Sequence, residues 1–391
     1  MIFNRYGIKS NNIILLCIIH FLQGLMFFLP ILALYYQKTL FSAQNVALIF
    51  AIEAICSAIF EVPTGAIADL FGKKKTMIVA YSIDIIAFII LWIGDSMAMF
   101  VIYAILTALA HALNNGPETA IMYDTLKQEG KENLYKKISG IYMAIWPAGA
   151  AISSIVGGYL ATISLRTPIF YTIFPFLIAL IIIFFIDEPP YEKKADATLN
   201  GHMLESTKDV LKNKQLMFIL LGGIVAWSFG ESTHFLSQLF FQFKNIPILW
   251  FGYATAAEFA LSSLGFYFSH AISERFGNKR TVIMSVILLA LLLIFATWTT
   301  GLTMLILFST SSFFFGLRSP ILGHLWNEEC ESRKRATMNS INALVYQLGV
   351  AIVIPIVGYW SDLFSVSTAF LLSGLIILII PPIFFAFLKN N

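Results

Sequence analysis

The chain has 391 residues, 58% of them hydrophobic and 12% charged, with a net charge of +3. Soluble domains carry about 25% charged residues, so a chain this poor in charge does not cover a water-facing surface, and the bilayer is its expected solvent. The few basic residues are scattered between apolar runs, which excludes a nucleic-acid-binding face.

A bilayer-spanning helix takes about 20 apolar residues. Six such runs come first, near 12–36, 43–67, 76–94, 97–123, 138–161 and 168–186. The first is too long for a signal-peptide core and no small-residue cleavage site follows it, so it is read as a span. A polar stretch follows, opened by Asp187-Glu188-Pro189-Pro190, which stops the sixth run. Within it Met203, Leu204, Val210 and Leu211 fall near one face, which fits either a short amphipathic helix on the membrane surface or a tether. Six further runs lie near 216–242, 250–273, 281–299, 302–326, 337–360 and 366–388. Lipid demands that backbone groups pair within the segment, and the runs are too long for barrel strands, so helices are expected. The expected fold is an all-α integral membrane protein with twelve transmembrane helices in two pseudo-symmetric six-helix bundles. Its parts are 1–187, a cytoplasmic linker at 188–215, and 216–391. Cys17, Cys56 and Cys330 have no framework spacing and are read as reduced.

Of the 25 Lys and Arg, 21 fall in one alternate set of loops, while Lys38, Arg166 and Lys244 occupy the opposite set and Arg318 lies inside a span. The excess of positive charge marks the inner side, so both termini are expected in the cytoplasm.

The halves repeat. Gly72-Lys73-Lys74-Lys75-Thr76 follows the second run and Gly277-Asn278-Lys279-Arg280-Thr281 the eighth, an offset of 205. At that offset Phe71 matches Phe276, Asp69 matches Glu274 and Glu53 matches Glu258. Pro117 matches Pro320 at an offset of 203, and Gly158-Tyr159 matches Gly358-Tyr359 at 200. A near-constant offset in chain order marks two parallel repeats, a pattern of transporters that bind solute near the midplane between them.

The loop Gly65-Ala66-Ile67-Ala68-Asp69-Leu70-Phe71-Gly72-Lys73-Lys74 resembles the signature between the second and third helices of the major facilitator superfamily. The degenerate copy at Ser273–Arg280 lies where that family places its second copy. The resemblance covers essentially the whole chain. It implies that Gly65, Asp69, Gly72, Lys73 and Lys74, with Glu274, Arg275, Gly277 and Arg280, form a conformational latch. It also implies a monomer that moves a small molecule through the bilayer by alternating access. The drug-proton antiporters of this family often carry Gly-Pro before Gly-Gly in the fifth helix and an Arg in the fourth. Here Gly157-Gly158 is present, but Gly-Pro and the Arg are not. Pro117–Lys127 resembles a bacterial efflux group, which places the chain in a bacterial inner membrane.

An ionisable residue inside a span costs about 2.5–3.5 kcal/mol on insertion scales, so each is a functional candidate. The resemblance places the first, fourth, seventh and tenth helices around the cavity. Glu231 and His234 share a face of the seventh span, three residues apart, and could exchange protons. Glu118 and Arg318 lie at about the same depth in the fourth and tenth spans, which suggests a bridge between them or an anion on Arg318. Glu53 and Glu258 are repeat equivalents and further proton candidates, as is Glu61. His20 with Gln23, and His111 with Asn114 and Asn115, would line the cavity with polar groups. Asp84 lies in the third helix, which in this family faces lipid. No phosphate-binding loop, nucleophile elbow or metalloprotease motif is present, so no enzyme is expected. No cofactor or metal is expected either, and an ion gradient, with protons first, would drive transport. The leading expectation is proton-coupled export of a small, partly apolar molecule. The alternatives are an uptake symporter or facilitator for a polar or anionic solute, a divalent-metal exporter, and a receptor without transport.

Overall fold

The computed structural model describes residues 8, 10–188, 207–331 and 334–389, with residues 62–71, 335 and 336 described by their backbone alone. Nearly all of this is helix. The first span is Asn12–Gly24 followed, after a break, by Leu32–Leu40, and the second is Ala43–Phe71. The third is Lys73–Ile93, and the fourth is split into Met97–Asn114 and Pro117–Gln128. The fifth and sixth are Tyr135–Ala161 and Arg166–Ile183. The seventh is split into Lys214–Phe235 and Ser237–Phe243. Then come Ile248–Phe276, Asn278–Trp298, Gly301–Glu329, Arg335–Leu363 and Val366–Phe385. Eleven of the spans are long and apolar enough to cross a bilayer. The eighth, Ile248–Phe276, falls short of that set although it has 29 residues, because Glu258 and the Ser262-Ser263 pair dilute its apolar run. The chain is an all-α membrane fold of twelve helical spans.

Two of the three interruptions have local causes. Pro30 cannot donate to a helix ladder, and the first span gives way before it to a short 3-10 turn at Leu29–Ile31. The groups freed there are paired by neighbours: Ser153 Oγ donates to the Gly24 carbonyl at 3.0 Å, and Phe27 N–H donates to Thr172 Oγ1 at 3.0 Å. Such pairing is what permits irregular backbone at membrane depth. The fourth span stops at Asn115-Gly116 and restarts at Pro117, whose missing N–H is no loss in a first turn. The seventh breaks at Leu236, where no proline is present.

By contacts the chain divides into two compact units. The first joins Met1–Ile31 with Ile55–Asp196, and the second joins Leu32–Ala54 with Ala197–Asn391. Within the second unit, segment 32–54 is fixed at two helix starts. Gln238 Oε1 accepts from Ala33 N–H at 2.7 Å and Leu34 N–H at 3.3 Å. Asp362 accepts from Ala43 N–H at 2.8 Å, Gln44 N–H at 3.0 Å and Ser42 Oγ at 2.6 Å. Both satisfy donors that a helix start leaves open. Gly358 allows this approach, since a side chain there would press on Ala47 and the Ala43 carbonyl.

The described part of the linker, 207–212, is helical, with Val210 buried and Leu211 63% exposed, so these two do not share an environment. Met203 and Leu204 lie outside the described residues. Cys17 and Cys330 are buried, Cys56 is half-buried, and none of the three is in a disulfide among the described residues.

Candidate functional site

The second unit holds a cavity of about 190 Å³ between the seventh, eighth, ninth and tenth spans. Glu231, His234, Glu258 and Arg318 open into it, among Phe259, Leu289, Leu293, Phe308 and Phe315, with Ser262, Ser311 and Ser312 adding hydroxyls. Helical spacing brings Glu231 and His234 to one face of the seventh span, as expected. The structure gives His234 a different partner, however: its Nδ1 lies 2.7 Å from Glu258 Oε2 on the eighth span. Glu258 is 4% exposed. Glu258 is buried against the imidazole, whereas its repeat equivalent Glu53 is half-buried and is not among the residues that line this cavity.

Arg318 is 2% exposed and its guanidinium lies 5.3 Å from the Phe315 ring centre. It and Glu231 feel each other's charge, yet its Nη1 is buried without a hydrogen-bond partner among the described residues. A buried guanidinium prefers a fork of acceptors, so Arg318 lines the cavity with one of its hydrogen bonds left unmade.

A second cluster lies in the first unit around Glu118, which is 4% exposed. One carboxylate oxygen accepts from Asn114 Nδ2 at 2.6 Å and Tyr81 Oη at 3.1 Å. The other accepts from Tyr142 Oη and lies 3.6 Å from His20 Nδ1. The His20 ring stacks on Tyr142 with centres 3.9 Å apart. Glu118 therefore finds these partners inside its own unit. Tyr81 and Tyr142 are absent from the sequence expectation, because a tyrosine in an apolar helix reads as packing or as an interface residue. Asn114 belongs to this cluster, while His111 and Asn115 are exposed and Gln23 is half-buried. Glu61 is exposed, within reach of the His111 charge. Asp84, expected toward lipid, is buried at 7% exposure.

The loop signature is anchored within the first unit. Gly72 has φ +99°, which side chains resist, and lets the chain reverse into the third span. Glu188 Oε1 accepts from the freed Lys73 and Lys74 N–H groups at 2.5 and 3.3 Å. Lys73 Nζ pairs with Asp124, and Lys74 Nζ donates to the Phe184 carbonyl at 2.8 Å. Glu188 and Asp124 are thus anchors that the signature did not name. The side chain of Asp69 lies outside the described residues, and Gly65 is described as helical backbone. In the second copy Gly277 has φ +82°. There Glu274 pairs with His270 at 3.3 Å, Arg275 lies over Phe276, and Arg280 is exposed.

The profile of the Major Facilitator Superfamily matches residues 16–257 and 244–391. An uncharacterized MFS-type transporter, YxaM of Bacillus subtilis (strain 168), is 26% identical over 239 residues, 56% of this chain and 57% of that protein. Multidrug resistance protein 2 of the same organism is 24% identical over 368 residues, 91% of this chain and 89% of its own. Among solved structures the nucleoside transporter NupG superposes with a TM-score of 0.82 at 15% identity, covering 98% of this chain and all of that one. A D-xylose-proton symporter superposes with a TM-score of 0.74 at 14% identity, covering 97% of this chain and 98% of that one. Those two likenesses concern the fold alone. The profile covers both repeats and nearly the whole span set, and the chain belongs to the major facilitator superfamily, as a multi-pass membrane transporter rather than an enzyme.

Proposed function

We propose that the protein exchanges protons for a small, partly apolar molecule and exports it by alternating access across a bacterial inner membrane, with both termini cytoplasmic. The observation that carries this reading is the cavity of the second unit. There Glu231 and the His234–Glu258 pair share an aromatic pocket with a buried arginine. A carboxylate facing an apolar cavity changes its charge with every proton it takes, and so changes what the cavity holds. The name of the relative that covers 91% of the chain, a multidrug resistance protein, favours export. The bias of Lys and Arg to one set of loops supports the orientation. No cofactor enters the scheme, and the proton gradient supplies the energy to a single chain working as a monomer.

The open Nη1 of Arg318 favours a second reading, uptake of a small polar or anionic solute with a proton or by facilitation. Proteoliposomes with an imposed pH gradient and an internal pH dye separate the two. Export by exchange gives substrate and proton fluxes in opposite directions, both lost in Glu231→Gln. Fluxes in the same direction support the symporter, and transport that ignores the gradient supports the facilitator.

A further inference from the structure

Charge balance in the second-unit cavity limits what can occupy it. The His234–Glu258 contact at 2.7 Å closes on itself, whether the proton sits on the ring or the acid. That leaves Glu231 and Arg318 facing the same space with opposite charge. Each lacks something. Arg318 Nη1 has no hydrogen-bond partner among the described residues, in a side chain that is 2% exposed. Glu231 faces the cavity from a neighbouring helix and does not supply that partner. A buried donor left unmade is costly, and more so when charged, so a ligand that completes it gains affinity.

We infer that this cavity binds a ligand of zero net charge, a single-ring apolar body that turns a hydrogen-bond acceptor to Arg318 and a donor to Glu231. An anion would satisfy Arg318 but meet the Glu231 carboxylate. A cation would satisfy Glu231 but add to the arginine charge. A molecule with neither polar group would leave both unpaired. The volume agrees: an engineered apolar cavity of about 150 Å³ takes up benzene, and this one measures about 190 Å³ with Phe308 and Phe315 in its wall. Ring amides, ureides and neutral nitrogen heterocycles have this chemistry. The inference rests on the proton-exchange reading in one respect: a proton on Glu231 turns a charged acceptor into a weaker neutral one and leaves the Arg318 charge unbalanced, so ligand and proton compete.

The test is calorimetric titration of the full chain in lipid nanodiscs with four matched probes, benzamide, benzoate, benzylammonium and toluene, with protons counted by a pH dye. Benzamide is expected to bind most tightly. Its affinity is expected to fall about tenfold or more in Arg318→Met and in Glu231→Leu, with Arg318→Lys, which keeps the charge, in between. Benzamide binding is expected to release protons. Tighter binding of benzoate or benzylammonium overturns the inference, as does toluene matching benzamide, unchanged affinity in Arg318→Met, or no binding of any probe. Arginine-dependent benzamide binding without proton release keeps the ligand class and sinks proton exchange. Proton release on binding of a charged probe alone keeps the exchange and sinks the class.

Discussion

His234 Nδ1 lies 2.7 Å from Glu258 Oε2 and ties the seventh span to the eighth at the wall of the second-unit cavity. The two groups share one proton position, so they are expected to act as a unit. Glu258→Gln and His234→Gln should each lower proton-coupled flux by about tenfold or more, and the double variant should be no worse than either single. Flux measured in proteoliposomes checks this. A double variant whose loss is the product of the two singles would falsify the pairing as a functional unit.

Gly72 and Gly277, 205 positions apart, turn the chain with nearly the same backbone, φ +99° and ψ +143° against φ +82° and ψ +148°. A β-carbon in that region costs about 1–3 kcal/mol. Gly72→Ala should cost more than Gly277→Ala, because its new carbon would also meet the Glu188 carboxylate at 3.1 Å and disturb the cap on Lys73 and Lys74. Thermal unfolding in detergent reads both. Equal losses would show that the Glu188 cap contributes nothing.

The span set and the repeat were legible because both are written in local signals: apolar run length, and a glycine-basic turn that must recur wherever the fold recurs. The breaks were legible only in part. Gly116-Pro117 announces one, whereas the stop at Leu236 has no residue that marks it. The cavity was half legible. Helical spacing joined Glu231 to His234, but no spacing rule joins a residue of one span to a residue of the next, so the Glu258 contact needed the packed structure. The same holds for Glu118, whose partners Tyr81, Tyr142 and His20 come from three other spans. Asp84, a candidate discounted because the third helix of the family faces lipid, is buried, and that facing was carried over rather than read from this chain.

Segment 32–54 offers a stability test outside the cavity. Asp362 accepts three hydrogen bonds at the start of the second span. Losing a helix cap costs about 0.5–2 kcal/mol. Asp362→Ala should lower stability by that amount, read as a lower unfolding midpoint, and Asp362→Asn by less, since the amide oxygen still accepts. The same loss in both variants would mean that the charge, acting on the helix dipole, matters more than the bonds.

Glu118 decides whether the first unit carries a proton or only a scaffold. Its carboxylate takes donors from Tyr81, Asn114 and Tyr142 with almost no exposure. Truncation strands three buried polar groups, at about 1–3 kcal/mol each. Glu118→Ala should therefore unfold at a much lower temperature than Glu118→Gln, which keeps an accepting oxygen and nearly the same shape. Removing the stranded hydroxyls in Tyr81→Phe/Tyr142→Phe/Glu118→Ala should recover part of the loss, because apolar rings need no partner. Transport then separates the roles. If Glu118→Gln folds as well as the parent and still couples solute to protons, the cluster is structural and the proton path lies in the second unit. If Glu118→Gln folds but moves solute without protons, His20 beside Glu118 becomes the entry to a second proton site, and exchange of more than one proton per cycle follows.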